Sequence, residues 1–285
     1  DIPIFVAYDS AEVWAKPQLF KLDCDKKMTV VAGVPPDYFS ATGQRWGNPH
    51  YNWQAMQEDG FAWWIHRMKT QSTLFDMVRI DHFRGLEAAW EIPMSAATAI
   101  HGEWVEAPGN ALLSAIKEVL PNVILIAEDL GIITDKVTAL REAFAMPGMK
   151  ILQFAFSGQE DNPYLPHNIT KNSVVYTGTH DNNTTLGWFL ALDDKERLHL
   201  NNYLKAVYGD AHNVNMPQDL MDIALASEAY ITIIPMQDLL GLDANHRMNV
   251  PGTVSGNWHW RFDWEQLQTS HFEWLSNTIT QHNRH

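Results

Sequence analysis

Apolar residues gather into six short runs along the chain: IPIFV (2–6), MVRID (77–81), VILIAED (123–129), ILQFAF (151–156), VVYTGTHD (174–181) and ITIIPMQ (231–237). Each is rich in β-branched or aromatic residues and too short for an independent helix, which predicts strands. Helical periodicity fills intervals between them. In NALLSAIKEVLP, which leads into the third run, Pro121 marks the end of the helix. In TDKVTALREAF, Thr134 is placed to cap a helix on which Val137, Leu140, Ala143 and Phe144 share a face. Strands alternating with helices predict βα units and a parallel sheet, either a barrel or a doubly wound sheet. No G-x-G-x-x-G or G-x-x-x-x-G-K-[ST] follows any strand, so the usual nucleotide-binding readings fall away.

One segment breaks the alternation. Residues 30–51, VVAGVPPDYFSATGQRWGNPHY, are rich in glycine and proline, carry no helical period and read as a long loop. Tyr38, Phe39 and Trp46 within it argue against disorder and for a lid or binding loop. No internal repeat or low-complexity tract is present.

The polar positions inside the strands carry the chemical information. With a period of two, MVRID sets Arg79 and Asp81 on one face, with Val78 and Ile80 on the other. Opposite charges there mean either a structural ion pair or a site, because a buried pair adds little stability by itself. Three strands end in a carboxylate: Asp81, Glu128 and Asp181. In a parallel β/α barrel all strand C-termini open on one mouth, so acids distant in sequence converge there; the barrel explains the pattern better than a doubly wound sheet.

Breaking a glycosidic bond with retention requires such carboxylates: one ionised to attack the anomeric carbon, one protonated to donate to the leaving oxygen. Asp81 has Arg79 on its own face, which favours the anion. Glu128 ends the apolar run 123–127, where desolvation raises its pKa as an acid requires. Asp181 is then the third partner, facing the oxocarbenium-like charge. The plain alternative is helix capping, for which Asp129 and Asn182 are also placed. His82 and His180 flank two of the acids and could mark a metal site, but there is no H-x-H on a strand and no H-E-x-x-H, so no metal is assigned.

Composition narrows the class further. The chain has 285 residues, enough for one large domain or two ordinary ones, with 46% hydrophobic and 19% charged residues. It has no apolar run long enough to span a membrane, which predicts a soluble protein. A net charge of −14 disfavours nucleic acid as a partner. The single cysteine, Cys24, lies in the polar stretch KLDCDKK; it permits no internal disulfide and fits a reducing, cytoplasmic setting. The chain opens on DIPIFV without an initiator Met or secretory signal and reads as a piece of something longer.

VRIDHFRG, IAEDLG and YTGTHDNNTT, preceded by GVPPDYFSATGQRWGNP and followed by RMNVPGT, resemble the conserved segments of the 4-α-glucanotransferases: amylomaltases, or disproportionating enzymes, of glycoside hydrolase family 77. The resemblance runs from Asp1 to about Arg261 and keeps the order of every segment. It implies a (β/α)8 TIM barrel with helical and loop insertions, of which this chain holds roughly the last six strands, the N-terminal part being absent. Asp81 matches the nucleophile, Glu128 the general acid/base and Asp181 the transition-state-stabilising aspartate. Arg79, His82, His180, Asp1 and Asn249 match sugar-binding positions, as do Asp37, Tyr38, Phe39 and Trp46 on the family's flexible loop. Two departures stand out: Asn183 replaces an aspartate of the family's THDNDTT, and Leu86 and Ala89 stand where aromatics are common.

The implied activity is retaining transfer of α-1,4-glucan segments between malto-oligosaccharides through a covalent glucosyl-enzyme, with no cofactor and with neither nucleic acid nor membrane as a partner. An amylase-like hydrolase with the same trio is the nearest rival. A glucan-binding remnant without turnover is the rival from another class.

Overall fold

The computed structural model describes residues 1–36 and 40–284. Asp37, Tyr38 and Phe39, assigned above to sugar binding, lie outside the described residues. The chain forms two compact units, Asp1–Gly148 and Met149–His285.

The first unit contains strands β1 (Val30–Val34), β2 (Gln44–Pro49), β3 (Met77–Ile80), β4 (Ala88–Pro93), β5 (Glu103–Glu106) and β6 (Ile124–Ala127). β3 and β6 pair in parallel, Ile80 opposite Ala127, and Ile2 forms a parallel bridge to Ile80 on the other side of β3. IPIFV therefore contributes a single bridge where a strand was expected. Val78 and Ile80 enter the core while Arg79 stays on the opposite face, as a period of two requires. The crossover from β3 to β6 ends in the helix Gly109–Val119, whose Leu112, Leu113 and Ile116 are fully buried against the same core. Thr134 caps the helix Asp135–Ala143 by accepting from the Val137 amide at 3.5 Å.

The remaining four strands form an antiparallel sheet in the order β2-β1-β4-β5, a feature absent from the sequence expectation. Residues 30–51 thus carry the paired strands β1 and β2 in place of one long loop. The period-two signal fails here in two ways: the outer strands bury little, β2 (QRWGNP) being mostly partly exposed to exposed and β5 (EWVE) having no buried residue, while the inner β1 and β4 bury consecutive residues and so do not alternate. Gly33 is required in β1, since a Cβ there would lie 2.1 Å from the Gln44 carbonyl oxygen.

The second unit holds a sheet in the order β7-β8-β9, made of β7 (Gly148–Ile151), β8 (Ser173–Tyr176) and β9 (Ile231–Ile233). β8 and β9 are parallel, and all four residues of β8 are buried, the mark of a strand covered on both faces. ILQFAF is mainly a 3₁₀ turn, Leu152–Phe154, because β7 starts three residues earlier than the apolar run. The tail of ITIIPMQ opens the short helix Met236–Leu239 behind Pro235. Leu200 and Leu204 of the helix Asp194–Tyr208 pack with Leu220 and Ile223 of the helix Gln218–Ala226 in the core of this unit. Among the described residues no helix is long and apolar enough to cross a membrane.

Candidate active site

The C-terminal ends of β3 and β6 place Asp81 and Glu128 side by side as the next residues along two paired parallel strands. Backbone bonds continue the ladder through them: the Asp81 amide donates to the Ile2 carbonyl at 2.9 Å and the Glu128 amide to the Ile80 carbonyl at 3.0 Å. The Arg79 guanidinium binds Asp81 Oδ1 at 3.1 Å and Asp1 Oδ2 at 2.6 Å. Arg79 is mostly buried while Asp81 keeps 45% of its side-chain surface exposed, so one carboxylate is both charge-paired and accessible.

Glu128 is in a different state. Burial pushes its pKa up to about 7, and the neighbouring Asp81 charge adds to the rise. The Arg79 cation and a hydrogen bond from the His82 amide to Oε2, 2.7 Å long, pull the other way. That amide is aimed by a left-handed backbone at His82, φ 51° and ψ 48°, a conformation that costs a non-glycine residue energy and recurs at functional sites. The His82 ring is buried, and desolvation lowers its pKa to about 3, so it is a neutral imidazole. Its Nε2 has no hydrogen-bond partner among the described residues. Gly85 makes room for the ring: a Cβ there would come within 3.1 Å of His82 Cδ2 and 2.7 Å of Ile4 Cδ1.

Trp46, on β2, stands edge-on to His82 with ring centroids 4.8 Å apart. With Asp81, His82, Asn48, Ile4 and Phe5 it lines a cavity of about 260 Å³. Asp1, Arg79, Asp81, His82, Glu128 and Trp46 are thus gathered in the first unit.

His180, Asp181 and Asn249 are gathered in the second. Asp181 lies on the loop after β8, and Asn249 Nδ2 donates to its Oδ1 at 2.6 Å. Arg247, which sequence reasoning passed over, donates from Nη2 to the Asp181 carbonyl at 2.8 Å. His180 Nε2 is 3.4 Å from Asp181 Oδ2, and its ring lies 5.0 Å from that of Trp258. Neither Asn182 nor Asp129 caps a helix. Asn182 accepts from the Thr179 amide and hydroxyl inside the loop, while Thr184 caps the following helix, Thr185–Ala191. Asp129 likewise pairs with Arg141 at 3.3 Å and leaves capping to Thr134. Asn183 Oδ1, at the position of the family's aspartate, is buried without a hydrogen-bond partner among the described residues. Leu86 and Ala89 are both core residues. Among the described residues no three His, Cys, Asp or Glu side chains are grouped to hold a metal ion.

An accessible carboxylate paired with a guanidinium, beside a buried carboxyl whose pKa is raised to about 7, is the kind of asymmetry that glycosidic bond cleavage calls on. The comparisons with known proteins name the family. The chain belongs to the 4-alpha-glucanotransferases of glycoside hydrolase family 77, whose family model matches residues 1–269.

A 4-alpha-glucanotransferase of Thermus thermophilus is 52% identical over 275 residues, 95% of this chain and 55% of that protein. The enzyme of Streptococcus pneumoniae serotype 4 is 47% identical over all of this chain and 56% of its own length. Among solved structures, amylomaltase from Streptococcus agalactiae in complex with acarbose aligns with a TM-score of 0.94 at 42% identity, covering 100% of this chain and 57% of that one. Amylomaltase from Corynebacterium glutamicum shares the fold at a TM-score of 0.77 and 18% identity, over 98% of this chain and 45% of that one. The chain therefore spans about half the length of the relatives it matches.

Proposed function

We propose that this chain carries the catalytic machinery of a 4-α-glucanotransferase acting in starch or glycogen metabolism, which moves α-1,4-glucan segments between malto-oligosaccharides with retention. The observation that carries the reading is the asymmetric pair at the ends of β3 and β6: Asp81 beside a guanidinium at 3.1 Å, and Glu128 with its pKa raised to about 7. Asp81 attacks the anomeric carbon while Glu128 protonates the departing O4, forming a covalent glucosyl-enzyme. Glu128 then takes the proton from the 4-hydroxyl of an acceptor glucan, which attacks and regenerates Asp81. A carboxyl titrating near neutrality serves both half-reactions, giving a proton in one and taking it in the other.

Asp181 stabilises the oxocarbenium-like charge, a role supported by its match to the family's segment YTGTHDNNTT and by the anchoring of its carboxylate by Asn249. His82 and Trp46 line the cavity beside Asp81 and contact the sugar there. Arg79 holds the nucleophile and is itself paired with Asp1, which the resemblance assigns to the sugar-binding subsites; His180 and Asn249 attend Asp181. Asp37, Tyr38 and Phe39 are assigned to the acceptor side by the resemblance alone. A carbohydrate ligand is supported by the relative solved with acarbose. The parallel pairs β3–β6 and β8–β9 support a (β/α)8 barrel to which this chain contributes the later strands.

The experiment is product analysis after feeding maltotriose to the full-length protein. Glucose together with oligomers longer than the substrate is the expected outcome. Glucose and maltose alone would replace the transferase with a hydrolase, and tight binding without products would leave a glucan-binding protein.

A further inference from the structure

A carboxylate sits in the interior of the second unit without a role in the chemistry above. Asp238, in the helix Met236–Leu239, is 1% exposed. It accepts three hydrogen bonds from neutral donors: the Thr177 hydroxyl to Oδ2 at 2.6 Å, the Thr185 amide to Oδ1 at 2.8 Å and the Thr185 hydroxyl to Oδ2 at 2.7 Å. Burying a carboxylate among neutral donors costs desolvation that an apolar side chain would avoid, so its retention calls for something it alone does.

Its partners show what that is. Thr177 is the first residue after β8 and Thr185 opens the helix Thr185–Ala191. Everything between them is the loop that carries Asp181, so one carboxylate holds both ends of that loop.

The residue beside it reaches the other partner of Asp181. Gln237 is also buried, and its Nε2 donates to the His246 carbonyl at 3.2 Å. His246 leads directly into Arg247 and Asn249, the two residues that bind the Asp181 carbonyl and carboxylate. Gln153, from the turn after β7, adds a bond from Nε2 to the Asn183 carbonyl at 2.9 Å and steadies the middle of the loop.

We infer that Asp238, seconded by Gln237, is the positioning residue for Asp181: it closes the base of the 177–185 loop and aligns the loop with the 246–249 segment that grips the aspartate. The inference rests on the reading of Asp181 as a catalytic group. A transition-state stabiliser works only when it is fixed in advance, and a displacement of about 1 Å from a distant change costs on the order of 10²-fold in rate. Because the clamp acts through Asp181 and touches no sugar, its loss is expressed in kcat more than in KM.

The test measures kcat and KM for maltotriose disproportionation, and the rate with α-maltosyl fluoride as an activated donor, in the full-length protein. Thr177→Val removes one hydrogen bond to Asp238 at nearly constant shape and is expected to lower kcat about 10-fold with KM changed less than about 2-fold; Thr177→Ser restores the rate. Asp238→Asn, which sets an amide group against the Thr185 donors, is expected to cost on the order of 10²-fold. In an Asp181→Asn background, Thr177→Val should lower the activated-donor rate no further, since residues acting as a unit are not additive.

Two results overturn the inference while leaving Asp181 in place: an unchanged kcat in Thr177→Val, or the same loss in both backgrounds. Wild-type turnover in Asp181→Asn would instead remove the reading of Asp181 on which the inference stands.

Discussion

The strand-end pair and the Asp181 loop present the same functional group in two different ways. Asp81 and Glu128 are positioned by the ladder itself: the Asp81 amide bonds to Ile2 and its carboxylate to Arg79 two residues earlier, and the Glu128 amide bonds to Ile80 of the neighbouring strand beside those same charges. Asp181 is the exposed residue of an otherwise buried to half-buried loop, and the side chains that hold it come from 66 and 68 residues further along. A strand end fixes the direction of a carboxylate almost without cost, because the sheet already determines the backbone. A loop must have its conformation imposed by side-chain hydrogen bonds, and a buried carboxylate such as Asp238 is one means of imposing it. The three acids therefore depend on different things: the pair on mutual electrostatics, the loop acid on a distant scaffold.

Removing a member of the pair gives the largest effect. Asp81→Asn is expected to lower kcat by at least about 10⁴-fold while glucan affinity, read by calorimetry, stays within about 3-fold, because only the bond-forming atom is lost. Glu128→Gln follows, with a loss of about 10²–10⁴-fold. In the wild type, kcat/KM should fall above about pH 7 as Glu128 loses its proton, and that alkaline limb should vanish in the variant.

A variant in the loop region sharpens the contrast. Asn249→Ala removes a 2.6 Å bond to Asp181 and is expected to cost about 10-fold in kcat, with the alkaline limb left where it was. A shifted limb would show the two regions to be electrostatically one.

The mildest effect is on stability. The Glu128 pKa in the native state, about 7, lies above its ordinary value of 4.5, so the folded protein binds the proton more tightly than the unfolded chain. Stability then falls as pH rises between those two values. Glu128→Gln should leave Tm unchanged at pH 4, where both carry no charge, and raise it by a few degrees at pH 8. An equal Tm at both pH values would mean that the native carboxyl is ordinary.

Much of the first region could be read directly from the chain. The apolar run before Glu128 gives both the strand and the desolvation, and the Arg79–Asp81 spacing gives the ion pair, since all of it is local. The burial pattern of MVRI and the Thr134 cap are local for the same reason. The antiparallel sheet β2-β1-β4-β5 was hidden because its outer strands bury almost nothing, and β2 also carries glycine and proline.

The support of Asp181 was hidden for another reason. Hydrogen bonds between residues some sixty positions apart leave no periodic trace. One signal was available: the acid in IIPMQDLL interrupts an apolar stretch, and a carboxylate in such a place is either paired or poised. Arg247 lay two residues before the recognised Asn249 with no local pattern to distinguish it from a surface arginine.

The most direct measurement is to trap the covalent intermediate. The full-length Glu128→Gln protein, treated with a fluorinated maltosyl fluoride that glycosylates readily and turns over slowly, is digested and examined by mass spectrometry. The expected result is one added glycosyl group on the peptide that contains Asp81, absent from the Asp81→Asn protein treated in the same way. A glycosyl group on any other residue, or turnover without any adduct at Asp81, would contradict the assignment of the strand-end pair.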